Sequence, residues 1–233
     1  MMLNYASLYR GFFLLLGSIT VLTGNQKTIA QIPLVLQDTT LQQGASFNYC
    51  MDAGWQHMDS ALILDDFFSD TVDIGFAFSF FGNSYTQCAL SGNVFLSFNL
   101  SNTDNVSPFA WSNTNTIFHN AIFPAFLDAN MNTSGSVKYQ TQGASGSRIF
   151  IAEWCGVPKY GIPCAGEKVT TQIVLHEGTN RIELNTLSFP GSVTCPTTNA
   201  NGKGIQGLIN SNNTASVLHQ GVVLPICGVI PGR

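Results

Sequence analysis

From Gly75 to Cys88 the chain runs GFAFSFFGNSYTQC, with Phe76, Phe78 and Phe80 at alternate positions and Ala77 and Ser79 between them. Strand side chains alternate between two faces, so this spacing predicts a half-buried strand with three rings on its apolar face. Gly82-Asn83 supplies the positive-φ bend of a tight hairpin. The alternation recurs in Asn93 to Phe98, where Val94 and Leu96 are set against Phe95 and Ser97. It returns in Gly135 to Thr141, where Val137 and Tyr139 oppose Lys138 and Gln140. Arg148 to Trp154 (RIFIAEW) is apolar almost without a break, which predicts a strand covered on both faces. The turn Gly143 to Gly146 joins it to the preceding strand as a hairpin. Thr170 to Leu187 predicts another hairpin: Ile173 and Leu175 are answered by Ile182 and Leu184, and His176 to Asn180 form the bend, with Glu177 and Arg181 as neighbours beside it. Gly204 to Asn210 and Ser216 to Val223 close the series. Apart from a turn at Leu62 to Phe68, no helical period interrupts it. Short strands, polar turns and no alternating helices predict an all-β chain, an antiparallel β-sandwich.

Composition agrees and adds a compartment. Only 9% of the 233 residues are charged, so Ser, Thr, Asn, Gln and Gly must form the surface, which suits strands and turns. Arg10, the apolar run Gly11 to Thr23, and Thr28-Ile29-Ala30 have the order of a signal peptide over residues 1–30, with Gln31 as the mature N-terminus. The apolar run is too short to span a bilayer, and no membrane span is expected after cleavage. Residues 31–72 form a lead-in packed on the sandwich or extending it, and 73–233 the β-sandwich domain. Losing Arg10 and Lys27 leaves seven basic residues against 13 acidic ones, a formal charge of −6. No basic stripe remains to neutralise phosphates, which argues against a nucleic-acid partner.

Six cysteines, Cys50, Cys88, Cys155, Cys164, Cys195 and Cys227, lie beyond the leader. An even number in an exported chain predicts three disulfides, and the spacings match no zinc pattern. Of 15 connectivities, the favoured one joins Cys155 to Cys164 across a nine-residue step, Cys50 to Cys88, and Cys195 to Cys227.

In order along the chain, FSFFGNSYTQC, SGNVFLSF, NAIFPAFLDAN, GSVKYQTQGASGSRIFIAEWCGVPKY, TTQIVLHEGTNRIEL and GIQGLIN resemble a β-sandwich domain. That domain occurs in secreted and cell-surface, adhesin-like and gliding-associated proteins of Bacteroidota and is distantly similar to the extracellular domain of nidogen. The resemblance covers about residues 73 to 211. It implies a secreted or cell-surface, non-catalytic module, and brings no active site. The family's Ser-Asn-Gly appears here as Ser91-Gly92-Asn93. Its closing aromatic strand has no counterpart before Pro231-Gly232-Arg233, which implies a truncated chain or a strand supplied by a partner in a homo- or hetero-oligomer. No C-terminal sorting domain of the kind that type IX secretion requires is seen.

The candidate chemistry is sparse. His57, His119, His176 and His219 are scattered, and no metalloprotease or nucleophile-elbow motif is present. Asp65, Asp66, Asp70 and Asp73 form the dense acidic cluster, where Asp65 or Asp66 could serve a glycan-active hydrolase or simply be solvated charge. Asp128, Asn130 and Asn132 set oxygen side chains at alternate positions of a loop, a pattern suited to calcium, although Thr133 and Tyr139 depart from the EF-hand and Asp and Asn also favour turns. Phe109 and Trp111, in the Asn/Ser/Thr-rich loop Asn99 to Asn115, are candidates for contact with an extracellular protein or glycan, or for tucking into the core. Asn-x-Ser/Thr at Asn99, Asn105, Asn132 and Asn212 is explained by composition. The expected class is an exported interaction module, adhesion-like and not an enzyme. The alternatives are a structural subunit or spacer of a surface assembly, and the hydrolase.

Overall fold

The computed structural model describes residues 48–51, 54–57, 65–103, 105–112, 114–161, 164, 166–189, 204–214, 216–221 and 227–230; for residues 56–57 and the last two segments only the backbone is described. The expected leader, residues 1–30, lies outside the described residues. The described strands are β1 (Gln56–His57), β2 (Val72–Phe80), β3 (Asn83–Ser91), β4 (Phe95–Ser97), β5 (Ala121–Phe126), β6 (Ser136–Gln142), β7 (Ile149–Pro158), β8 (Lys168–His176), β9 (Ile182–Ser188), β10 (Gly204–Ile209), β11 (Ser216–Gly221) and β12 (Cys227–Ile230). All pair antiparallel, in two six-stranded sheets ordered β1-β6-β7-β8-β9-β12 and β11-β10-β5-β4-β3-β2. This is the expected β-sandwich.

The alternation in the phenylalanine strand is what joins the sheets. Val72, Ile74, Phe76, Phe78 and Phe80 of β2 point inward while Asp73, Gly75 and Ala77 face out. They share one core with Val137, Phe150, Trp154, Ile173, Leu175, Ile182 and Leu184 of the opposite sheet. Each large apolar side chain buried there contributes about 1.5–3 kcal/mol. Trp154 reaches across the core, its indole N–H donating to the Ser91 carbonyl at 2.7 Å. The outer edge of β2 is guarded by the facing sheet, as exposed strand edges need to be: Thr141 Oγ1 donates to the Ile74 carbonyl at 2.7 Å, Arg148 Nη1 to that of Gly75 at 2.5 Å, and the Ser79 N–H to Asn180 Oδ1 at 2.8 Å.

Parts of both outer faces are covered by the chain itself. On the first sheet, Lys138, Glu153, Gln172 and Asn185 are ladder partners in one row across four strands, and all four are buried. Residues 48–51 lie over this row. The Cys50 N–H donates to Glu153 Oε1 at 3.0 Å and Oε2 at 3.1 Å, Gln172 Nε2 to the Asn48 carbonyl at 3.0 Å and to Glu153 Oε2 at 2.7 Å, and Lys138 Nζ to the Met51 carbonyl at 3.2 Å. A buried carboxylate is tolerated because these donors replace its water. On the second sheet, Phe68, Phe95, Phe118, Phe123 and Phe126 form a separate aromatic cluster. Loop 99–118 closes over it. Trp111 packs 4.7 Å from the Phe118 ring and 5.3 Å from that of Phe123, measured between ring centroids.

Several local expectations need correction. The positive-φ pair of the first hairpin is Phe81 (46°) and Gly82 (81°), one residue earlier than Gly82-Asn83, because Phe80 pairs with Asn83. Asn93 and Val94 precede β4 in a turn rather than belonging to the strand. β5 is a fully buried strand despite Pro124. The proline is accommodated opposite a bulge between Ile205 and Gly207, where a missing ladder N–H is tolerated. β12 pairs antiparallel with β9 at one edge of the first sheet. Glu177 is bound to Arg148, not Arg181, which instead pairs with Glu183.

The favoured disulfides are also corrected. Cys50 is bonded to Cys155. Two residues after Glu153 on β7, Cys155 faces the outer side where residues 48–51 lie. Cys164 is disulfide-bonded too, so it is not joined to Cys155; the side chains of Cys195 and Cys227 lie outside those described. Cys88 is a free thiol. It faces the inter-sheet core, fully buried, on the opposite sheet from Cys50's site, and burial pushes its thiol pKa far up.

Two predictions follow from this architecture. Non-reducing peptide mapping should yield a Cys50–Cys155 cross-link with Cys88 alkylated only after denaturation, and Cys50→Ser should lower unfolding stability by about 2–4 kcal/mol; a Cys50–Cys88 peptide would refute the assignment. The second concerns Glu177, whose carboxylate takes Arg148 Nε at 2.8 Å and Nη2 at 2.5 Å, with the N–H groups of Gly146 and Arg148 at 2.8 and 3.0 Å. The Arg148 side-chain hydrogen bonds, then those from the backbone, hold its pKa down at about 2, from an ordinary 4.5. A depressed acid contributes stability above its unfolded pKa and loses it as pH falls toward the folded value. Glu177→Gln should therefore melt below wild type at pH 7, with the gap closing between about pH 4.5 and 2; a gap independent of pH would contradict this.

Candidate functional site

One pole of the sandwich is where β3, β5 and β7 end and β2, β4 and β8 begin. Its organiser is Asn93, in the turn Ser91-Gly92-Asn93-Val94. The Val94 N–H donates to the Ser91 carbonyl at 3.2 Å, and Val94 takes φ 65°, a conformation that β-branched residues adopt only under tertiary constraint. That turn aims the Asn93 side chain into the protein, where it is fully buried. Its amide nitrogen donates to Asp66 Oδ1 at 2.7 Å and to the Pro108 carbonyl at 3.2 Å, while its oxygen accepts the Ala129 N–H at 2.9 Å. One side chain thus ties three segments distant in sequence.

Backbone pairing completes the knot. The Ser107 N–H donates to the Asp66 carbonyl at 2.6 Å, the Asn130 N–H to that of Pro158 at 2.8 Å, and the Tyr160 N–H to that of Asp128 at 2.9 Å. Ser91 Oγ and Ser107 Oγ lie 2.6 Å apart in a buried pair. Phe67 bridges Val106, and Ala129 bridges Lys159.

These contacts bring Asp65 and Asp66 to Asp128, two acidic stretches that are 62 residues apart in the chain. Asp128 is only 7% exposed. Burial, with the charges of Asp66 and Asp65, raises its pKa to about 7 against the opposing pull of Lys159. Burial and then Asp66 raise Asp65 to about 6. A raised carboxyl opposes folding once ionised, so both weaken the fold as pH climbs from about 4 toward 7. Asn130 Oδ1 accepts the Asn132 N–H at 3.0 Å and Asn132 Oδ1 the Asp65 N–H at 3.3 Å. The alternate oxygens of this loop are therefore partly engaged in shaping it and tying it to Asp65.

The segments that pair with Asp66 and Asp128 also carry exposed apolar groups: Val106 and Phe109, 47% exposed, on the 105–109 loop, and Tyr160, 50% exposed. Phe109 is exposed, whereas Trp111 packs partly buried against the aromatic cluster beneath its loop. Of the residues at this pole, Asn93 and Tyr160 were not singled out from sequence; Ser91-Gly92-Asn93 was visible as a motif, but the partners of its amide were not. A second grouping, Cys50, Glu153 and Cys155, brings ligand atoms within 4.8 Å, but both sulfurs are in the disulfide and Glu153 accepts from Cys50 and Gln172. Among the described residues no helix is long and apolar enough to cross a membrane.

The architecture defines an all-β, disulfide-bonded sandwich whose loops converge at one pole. A family model described as NIDO related matches residues 39–222, beginning within the lead-in, and the chain belongs to this nidogen-related domain family. Neither the curated proteins nor the solved structures contain a match.

Asn93→Ala should cost about 2–4 kcal/mol in denaturant unfolding, since the Ala129 N–H loses its acceptor and Asp66 its donor. Asn93→Asp, equal in size but set against Asp66, should cost at least as much; a loss under 0.5 kcal/mol, the range of ordinary surface changes, would show that the amide is not the organiser.

Proposed function

We propose that this protein is an extracellular or cell-surface interaction module, non-catalytic and adhesion-like, that engages a protein or glycan through the pole organised by Asn93. The observation that carries this reading is the pairing of half-exposed rings, Phe109 and Tyr160, with the loops bearing Asp65, Asp66 and Asp128. Aromatic faces supply contact area at little entropic cost, and carboxylates supply directed acceptors, the combination that recognition surfaces use. The nidogen-related family and the Cys50–Cys155 bond fit an extracellular setting. The resemblance of the ordered sequence blocks to secreted adhesin-like and gliding-associated Bacteroidota proteins points in the same direction.

A hydrolase reading has one observation in its favour, the raised pKa values of Asp65 and Asp128, which an acid catalyst would need. A single experiment separates the two. On a glycan and extracellular-protein array, wild type should give a saturable hit that Phe109→Ala combined with Tyr160→Ala weakens at least about tenfold, without lowering the melting temperature by more than about 2 °C, because both rings are half exposed. Absence of any hit, or a hit unaffected by the double variant, would overturn the binding pole. Release of reducing ends from an arrayed glycan, abolished by Asp65→Asn, would replace the reading with the enzyme.

A further inference from the structure

We propose that the Cys50–Cys155 bond is a redox latch: exchange with a dithiol frees the strap of residues 48–51 from the first sheet and uncovers the row Lys138, Glu153, Gln172 and Asn185, while the sandwich stays folded. The device is independent of the pole and of any partner engaged there.

What lies under the strap lets it open. Its described contacts with the sheet are polar: the Cys50 N–H donates to both oxygens of Glu153, Gln172 Nε2 donates to the Asn48 carbonyl, and Lys138 Nζ to that of Met51. No residue from 48 to 51 belongs to either apolar cluster. Water can replace such hydrogen bonds at little net cost. Opening also leaves Lys138 and Glu153, opposite charges paired on neighbouring strands, side by side where water solvates both. Lifting loop 99–118 would instead bare phenylalanine rings, so only the first strap is built over a face that tolerates exposure.

The bond is what keeps the strap down. Cys50 takes φ 60°, a conformation that a non-glycine residue keeps only where its surroundings fix it; here the fixing comes from the sulfur bridge and from the N–H to Glu153. The bridge joins residues 105 apart in the chain. After the strap, the next described strand is β1, only two residues long on the edge beside β6. Cys155 stands where the β7–β8 ladder shifts register between Trp154 and Val157, an irregularity of the kind that re-aims side chains.

The exchange balances without any other reactant. A thiolate of the dithiol attacks Cys50 Sγ, on the exposed residue of the pair, and the Cys155 sulfur leaves and takes up a proton. The second thiol then displaces Cys50, so the reductant departs as its cyclic disulfide and both cysteines end as thiols.

The test treats the full mature protein with dithiothreitol in native buffer, then follows alkylation by peptide mass mapping and backbone amides by hydrogen exchange. Cys50 and Cys155 should be alkylated while Cys88, enclosed between the sheets, stays unlabelled and so reports that the core has not opened. Exchange of the 48–51 amides should rise at least about tenfold and reverse on reoxidation, with the amides of β7 and β8 still protected. Cys50→Ser combined with Cys155→Ser, which leaves the bond of Cys164 in place, should show the same fast exchange without dithiol. Cys88 labelled as fast as Cys50, or β7 and β8 losing protection together with the strap, would make the bond a staple of the whole fold and overturn the latch. A bond that resists dithiol until denaturant is added, or a strap still protected in the double variant, would overturn it equally.

Discussion

A two-sheet sandwich has four faces, and this chain has to cover all of them. The inner pair meet each other through the β2 phenylalanines and Trp154, as any sandwich would require. The outer pair call for cover of different kinds, because one bears an aromatic cluster and the other a row that includes Glu153 and Lys138. With so few charged residues to solvate a surface, the chain lays its own segments there instead. Residues 48–51 cover the first sheet and loop 99–118 covers the second. Loop 99–118 also carries Ser107 and Pro108 to the pole where the loops meet.

Each strap is held by a different physical device, matched to what lies beneath. Over the polar row the fastening is hydrogen bonding plus the Cys50–Cys155 bond, since Glu153 in an enclosed setting requires donors at fixed positions. Over the phenylalanines the fastening is ring packing by Trp111. The apex of that second strap arrives at the pole, where Ser107 and Pro108 contact Asn93 and Asp66. The same loop therefore seals a core at its middle and displays Phe109 at its tip. This explains how neighbouring aromatics, two residues apart, come to opposite roles.

At the pole itself the fold accepts local strain. Val94 sits at positive φ, Asp128 is buried, and both Asp65 and Asp128 have raised pKa values. Such strain persists only where surrounding structure over-determines it, and here Asn93, with its contacts to three segments, supplies that determination. Elsewhere local rules are obeyed in several places: alternation along β2, Pro124 at a bulge, and a bidentate Arg148–Glu177 pair closing the other end.

The strands were legible because side-chain alternation is a local property: Phe76, Phe78 and Phe80 must share a face whatever the rest of the chain does. For the same reason the near-continuous apolarity of RIFIAEW announced a strand covered on both sides. The calcium-like spacing at Asp128 and the acidic run at Asp65 were equally visible, each as a separate feature. Sequence could not show that they meet, nor that Cys155 turns outward toward Cys50 while Cys88 turns inward, nor that Phe109 and Trp111 part company. Those outcomes depend on which face each strand presents and which loops share a pole, and such long-range adjacency arises only when the two sheets close. Local patterning determined the elements; tertiary packing alone decided the partners of each buried polar group.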